Sequence, residues 1–197
     1  EQAQIDAEMA RLKRYPHGLN TNLARAVHYL PTIMAQIEQR GLPGELALIP
    51  MVESRFLSHT TSSQGAAGLW QVMPRTARHL GLTVNNRYDE RRDPVLATHA
   101  ALNYLEELSA RFDGDWLLAL AAYNAGSATV QRAIRRNAAR QQPTDYWSLP
   151  LPRQTRHYIP RLFAVADVIR HPDAYDAELP AAAEPPALVR IALEHPI

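Results

Sequence analysis

The sequence predicts an all-α fold, on three observations. Apolar residues recur at close to helical spacing through residues 21–40 and again from Leu46 to Phe56. Long apolar stretches begin at residues suited to opening a helix, Asp93-Pro94 and Asp115. No segment before residue 188 reads as a strand.

Taken in order, residues 2–14 read as a short polar helix or a fraying arm. Leu23, Val27, Leu30, Ile33, Met34 and Ile37 give 21–40 an apolar side that must be buried. Pro31 either kinks that stretch or starts a second helix there. Gly41 is a C-terminal stop. Pro43 opens the next helix, whose apolar side is Leu46, Ile49, Val52 and Phe56. Residues 57–68, dominated by Ser, Thr, Gln and Gly, form a loop. Pro74 opens a short helix to Leu80, closed by Gly81. A long helix runs from Asp93-Pro94 to Phe112, and Asp115 caps a very apolar one, Trp116-Leu-Leu-Ala-Leu-Ala-Ala122. Gly126 ends it, and Ser127 caps a helix through Arg136. A proline-bearing loop over 141–153 leads to a last helix, Gln154 to Arg170, bent at Pro160. Residues 180–187 are a stiff proline-rich linker, and 188–193 alternates loosely, as a strand would.

Composition narrows the function. A hydrophobic fraction of 46% in 197 residues supports a core of ordinary domain size and excludes wholesale disorder. A net charge of +1 lacks the basic excess of a nucleic-acid binder. Arg132, Arg135, Arg136 and Arg140 recur on roughly one helical face, either as a solvated surface or as a contact for an anionic polymer. The chain has no cysteine, which excludes disulfides, thiolate metal sites and a cysteine nucleophile. The eight histidines are scattered without His-Glu-x-x-His or comparable spacing, so neither a metal nor a cofactor is expected. No segment approaches transmembrane length, and residues 1–15 lack a signal-peptide pattern. Glu1 in place of Met implies a processed or trimmed chain, with any targeting segment upstream.

Glu53 stands out. It lies near the end of the apolar helix Leu46-Ala-Leu-Ile-Pro-Met-Val-Glu53. A carboxyl that loses hydration there titrates higher, as a general acid near neutral pH requires. The other reading is a helix-end glutamate pointing to solvent. A polar loop, Ser58-His-Thr-Thr-Ser-Ser-Gln-Gly65, comes next, and then Gly65-Ala-Ala-Gly68-Leu-Trp-Gln71. Small residues let backbone approach a ligand. Trp70 is either a face for stacking a sugar ring or a core residue. Tyr123 and Asn124 lie just beyond the apolar run 116–122 and need partners, in the core or on a ligand.

Glu53-Ser54, then Gly68-Leu69-Trp70-Gln71, then Ala122-Tyr123-Asn124 resemble, in order, the signature of the family 1 soluble-type lytic transglycosylases, relatives of goose-type lysozyme. The likeness covers roughly residues 43–170. The strings Phe112-Asp-Gly-Asp-Trp116-Leu-Leu, Tyr146-Trp-Ser-Leu-Pro-Leu-Pro152 and Thr155-Arg-His-Tyr158-Ile-Pro160 are similar to a membrane-bound subgroup. That subgroup has Trp at position 70, where many family members have Met. The resemblance implies a lysozyme-like helical domain acting on peptidoglycan glycan strands. It implies Glu53 as the single catalytic acid and base. It places Ser62 near the acid and the substrate N-acetyl group, and lines the saccharide groove with Gln71 and Asn124. It brings the hydroxyls of Tyr123 and Tyr158 toward the catalytic carboxyl. Trp70 is counted with the substrate-binding residues, and Ser54 holds the helix end. The product implied is a 1,6-anhydro-muramyl end, formed without the second carboxylate of most glycosidases.

Two rivals stand beside this reading. A lysozyme-like hydrolase needs a second carboxylate or a positioned water, and Asp89 or Asp93 are the nearby acids. A non-catalytic cell-wall-binding module needs no acid at all. The expected organisation is an N-terminal helical extension over 1–42, a catalytic domain over 43–172, and a linker over 173–197 that starts a further module. The resemblance also implies a periplasmic location, with attachment to the outer membrane through a lipid on an upstream cysteine.

Overall fold

Helix starts and stops along the chain are set by the positions of Pro, Asp and Gly. The structure is a computed structural model and describes residues 1–179. The α-helices are α1 (Gln2–Lys13), α2 (Pro16–Ala26), α3 (Leu30–Gln39), α4 (Ile49–Glu53), α5 (Pro74–His79), α6 (Pro94–Arg111), α7 (Trp116–Ala125), α8 (Ser127–Ala138), α9 (Arg153–Arg156) and α10 (Tyr158–Arg170). Short 3-10 turns lie at Gly44–Leu48, Glu90–Arg92, Tyr146–Ser148 and Pro172–Tyr175. Among the described residues only isolated β-bridges occur, and no sheet. The all-α expectation holds there. The strand expected at 188–193 and the linker at 180–187 lie outside the described residues.

The stretch that is apolar all round is the centre of the fold, as a helix without a polar face must be. On α7, Ala119, Ala121 and Ala122 are fully buried, and the helix packs against α6, α8, α9 and α10. Asp115 caps it, its carboxylate accepting from the backbone N–H of Leu117 and Leu118 at 2.9 and 3.0 Å. Asp93 caps α6 in the same way through Val95 and Leu96. Each cap satisfies donors that the first helical turn leaves unpaired.

Proline sets the breaks that periodicity alone misplaces. Pro31 sits in the first turn of α3, so the stretch 21–40 is two helices. The stretch after Pro43 begins as a 3-10 turn and becomes α-helical only at Ile49, with Pro50 in the first turn of α4. A proline there removes only an N–H that the helix start leaves unpaired. The last helix is broken at His157 and not bent at Pro160. In a continuous helix, Pro160 would lack its bond to the Arg156 carbonyl and its ring would strike it. A second start at Tyr158 puts Pro160 in a first turn. Ser127 does not cap α8: Gly126 holds that position with φ 83°, a conformation glycine adopts freely, and the Ser127 hydroxyl accepts from Arg111 at 3.2 Å.

The N-terminal helices share the core. Leu19 and Leu23 of α2, with Ile33 and Ile37 of α3, are buried in the same apolar cluster as α6, α7 and α10. α1 lies along α10, where Glu8 is buried against Arg161 and His157, each at 3.4 Å. Residues 173–178, expected as linker, are held to the body. Tyr175 is buried and donates to Asp167 at 2.6 Å, and Asn20 bonds both Asp176 and Glu178. If α2 is integral to this core, Leu23→Ala will lower the unfolding free energy by about 2–5 kcal/mol. Chemical denaturation of the 197-residue chain checks this; a loss under about 1 kcal/mol would contradict a shared core.

Candidate active site

Glu53 is the last residue of α4, and beyond it the chain reverses sharply. Arg55 and Phe56 both adopt left-handed backbone at φ 56°, which costs free energy and persists only where surroundings enforce it. Here Phe56 is buried and stacked on Tyr29, with ring centroids 6.4 Å apart and planes 4° apart. The Ser54 hydroxyl joins the Pro50 carbonyl at 3.1 Å and donates to the Leu69 carbonyl at 2.8 Å. The helix end is thereby tied to the glycine-containing turn of the next loop.

That loop is built by short-range bonds. The Ser62 hydroxyl accepts from the Ala66 N–H at 3.0 Å, and the Ser62 N–H donates to the Ala66 carbonyl at 2.8 Å. Ala67 and Val72 exchange backbone bonds at 3.2 and 3.1 Å, closing a tight turn over Gly68–Gln71. Arg91 pins the turn from below: one guanidinium nitrogen donates to the carbonyls of Gly65 and Val72, at 2.7 and 3.1 Å, and another bonds Asp89 at 2.8 Å. Gly68 has φ +80°, and a Cβ there would lie 1.7 Å from the Arg91 carbonyl oxygen. Only glycine admits this approach.

The motifs converge on one cavity of about 580 Å³. Glu53, Ser62, Gln71, Tyr123 and Asn124 all line it. Gln71 donates its amide to the Gly68 carbonyl at 2.9 Å, which leaves the amide oxygen as an acceptor. Asn124 accepts from the Thr155 hydroxyl at 2.9 Å, leaving its amide N–H groups as donors. Tyr158 approaches Glu53 from α10 and donates to Oε1 at 2.7 Å. Tyr123 donates to the Trp70 carbonyl at 2.7 Å and lies close enough to Glu53 for the carboxylate to disfavour its ionisation.

Trp70 is a correction. Its ring is fully buried and its indole N–H donates to Thr98 at 2.9 Å, so no sugar reaches its face. Buried indoles need such a partner, and the large ring fills the core under the loop. What Trp70 offers the site is its backbone carbonyl, which orients Tyr123.

The electrostatics centre on Glu53. Burial pushes its carboxyl up to about 7, against the bond from Tyr158 and the charge of Arg161, which both favour the carboxylate. Tyr123 and Tyr158 titrate well above the usual phenol range, chiefly through burial, and stay neutral donors. Glu53 is the one carboxylate lining the cavity among the described residues. Asp89 is held below the ordinary range by its bond to Arg91, and Asp93 is occupied as the α6 cap. Among the described residues no group of three His, Asp or Glu side chains is placed to hold a metal.

Sequence reasoning misses three contributors. Tyr104, mid-way along α6, lines the cavity and packs on Tyr123 with centroids 5.9 Å apart. Met73 also lines it and is 40% exposed, unusual for methionine. Arg161 lies one helical turn beyond Tyr158, and that spacing is the available signal for it.

Comparisons with known proteins agree with this geometry. Residues 22–145 match the family model described as the transglycosylase SLT domain. The chain is 45% identical, over 187 residues, to membrane-bound lytic murein transglycosylase D of Escherichia coli K12; this is 95% of the chain and 41% of that relative. It thus spans less than half the length of that relative. Among solved structures, the 70 kDa soluble lytic transglycosylase of Escherichia coli superposes with a TM-score of 0.61 at 25% identity, over 73% of this chain and 24% of that one. An inactive mutant of lytic transglycosylase Slt from Pseudomonas aeruginosa gives 0.58 at 28%, over 76% and 25%. The lysozyme-like helical fold expected from the motifs therefore holds, and the chain belongs to the transglycosylase SLT domain family.

Proposed function

We propose that this chain is a lytic transglycosylase, which cleaves the β-1,4 bond between N-acetylmuramic acid and N-acetylglucosamine in peptidoglycan and leaves a 1,6-anhydro-muramyl end. The observation that carries the reading is a lone, desolvated Glu53 carboxyl on the cavity, titrating near 7. A two-carboxylate hydrolase has no candidate partner there, since Asp89 and Asp93 are engaged elsewhere. A binding module has no use for a carboxyl held out of water.

In the first step the protonated Glu53 gives its proton to the glycosidic oxygen as the bond to muramyl C1 breaks. Tyr158 donates to Oε1, which leaves Oε2 to carry that proton. The 2-acetamido group stabilises the cation-like C1. Glu53, now a carboxylate, takes the proton from the muramyl 6-hydroxyl, whose oxygen closes on C1. Glu53 ends as it began, and no water is consumed. Asn124 and Gln71 supply the donor and acceptor for sugar substituents, and Ser62 shapes the loop at the acetamido side. Tyr123 holds the wall behind Glu53.

The name of the relative, membrane-bound lytic murein transglycosylase D, supports a periplasmic, membrane-associated setting; attachment to the outer membrane through a lipid on an upstream cysteine is the finer proposal. The catalytic unit is assigned to 43–172, with 1–42 packed around it as an extension.

Glu53→Gln removes the titrating proton at nearly constant shape. Turnover should fall by several orders of magnitude, more than the roughly 10²–10⁴-fold of a single proton transfer. Wild-type digests of purified peptidoglycan should show 1,6-anhydro ends by mass spectrometry. Reducing-end muramic acid in their place would identify a hydrolase.

The pH behaviour has a definite sign. Glu53 titrates near 7 in the folded chain against 4.5 ordinarily, so the native state binds more protons between those values. Its contribution to stability is full below 4.5 and is lost as pH rises through 7. The melting temperature of Glu53→Gln should therefore gain on wild type between pH 4.5 and pH 8. Tyr158→Phe removes a donor that favours the carboxylate, so the alkaline limb of kcat/KM should move to higher pH. A limb that stays in place would separate that limb from Glu53.

A further inference from the structure

A second cavity, of about 680 Å³, shares α4 with the first. Glu53 lines one; Met51, Val52 and Arg55 line the other. Its remaining walls come from α1, α2 and α10, and α1 and α10 lie outside the residues matched by the family model. The floor is apolar, with Leu12, Leu19, Met51 and Val165, while the charged residues on it are Arg11, Arg25, Arg55, Arg161 and Glu8. Four guanidiniums thus face one carboxylate. That carboxylate is already shared by Arg11 at 2.8 Å and Arg161 at 3.4 Å. Arg25 bonds only the neutral Asn22, at 2.8 Å, and Arg55 has no hydrogen-bond or ion-pair partner among the described residues.

Guanidiniums gathered around a concavity focus a positive potential that attracts anions, and their forks suit carboxylates. An apolar floor under such a ring fits a ligand with alkyl segments between its carboxylates. The substrate of the proposed reaction carries one: each muramic acid bears, through its lactyl ether, a short peptide with free side-chain and terminal carboxylates. We propose that this cavity binds the carboxylates of the peptide stem, seating a stem-bearing strand while Glu53 acts on its glycan. Arg25 and Arg55 are the principal contacts, because Glu8 leaves them uncompensated. The assignment rests on the lytic transglycosylase reading above.

The test has two arms, on the 197-residue chain. In the first, the free tripeptide L-alanyl-D-glutamyl-meso-diaminopimelate is titrated into wild type and into the double variant Arg25→Gln/Arg55→Gln by calorimetry, with melting temperatures checked. Wild type should bind, and the double variant should bind at least about tenfold more weakly, since even one lost charge-assisted contact is worth about that factor. Arg25→Lys/Arg55→Lys should recover part of the loss, since charge is kept and the fork is not. In the second arm, kcat/KM is measured on stem-bearing strands and on strands stripped of peptide by an amidase. The ratio of the two should fall by a similar factor in the double variant. No tripeptide binding by wild type, or a double variant with unchanged binding and an unchanged ratio, overturns the proposal. A wild-type chain that forms no anhydro ends on either strand defeats the proposed function instead, and the binding arm alone then decides whether the cavity takes stem carboxylates.

Discussion

Holding one carboxyl out of water is the constraint that the rest of this structure meets. An isolated buried carboxylate is too costly to keep, so the group must stay protonated for much of the time or find donors. Glu53 does both. Burial raises it to about 7, and Tyr158 supplies one donor at 2.7 Å without cancelling the effect. The apolar α7, the alanines that let it sit against α6, and the indole of Trp70 under the loop provide the dryness. The polar groups at the rim are each tied to a fixed partner. Ser54 reaches Leu69, Tyr123 reaches the Trp70 carbonyl, and Asn124 reaches Thr155, so the cavity keeps its shape without relying on a ligand.

Where local chemistry decides structure, the sequence is legible. Asp93 and Asp115 cap helices through the bonds their side chains suggest, and the composition change at 57–68 marks a real loop. Errors arise where two local rules compete. Pro160 reads as a bend inside a helix, but a fresh start at Tyr158 satisfies the ring better. Ser127 has the chemistry of a cap, yet the glycine before it already makes the turn.

The site shows the same division. Glu53 is conspicuous because its setting is local: an apolar helix ending in an acid. The convergence of Ser62, Gln71, Tyr123 and Asn124 comes from matched motifs, and no periodicity could give it. Trp70 is ambiguous in sequence because the same flat ring serves a sugar or a core equally well, and only burial separates the two. Tyr104 escapes because it owes its place to how α6 and α7 pack, a relation that neither helix carries by itself.

The bond between Tyr158 and Glu53 joins residues 105 apart in the chain. In the unfolded chain Glu53 is an ordinary solvated carboxylate, ionised at neutral pH and unable to give up a proton it does not hold. The reactive acid is thus a product of folding itself. An unfolded chain carries every residue of the site and none of its chemistry. For a protein whose proposed target is the wall that encloses the cell, this amounts to a built-in latency: the acid becomes reactive only together with the fold.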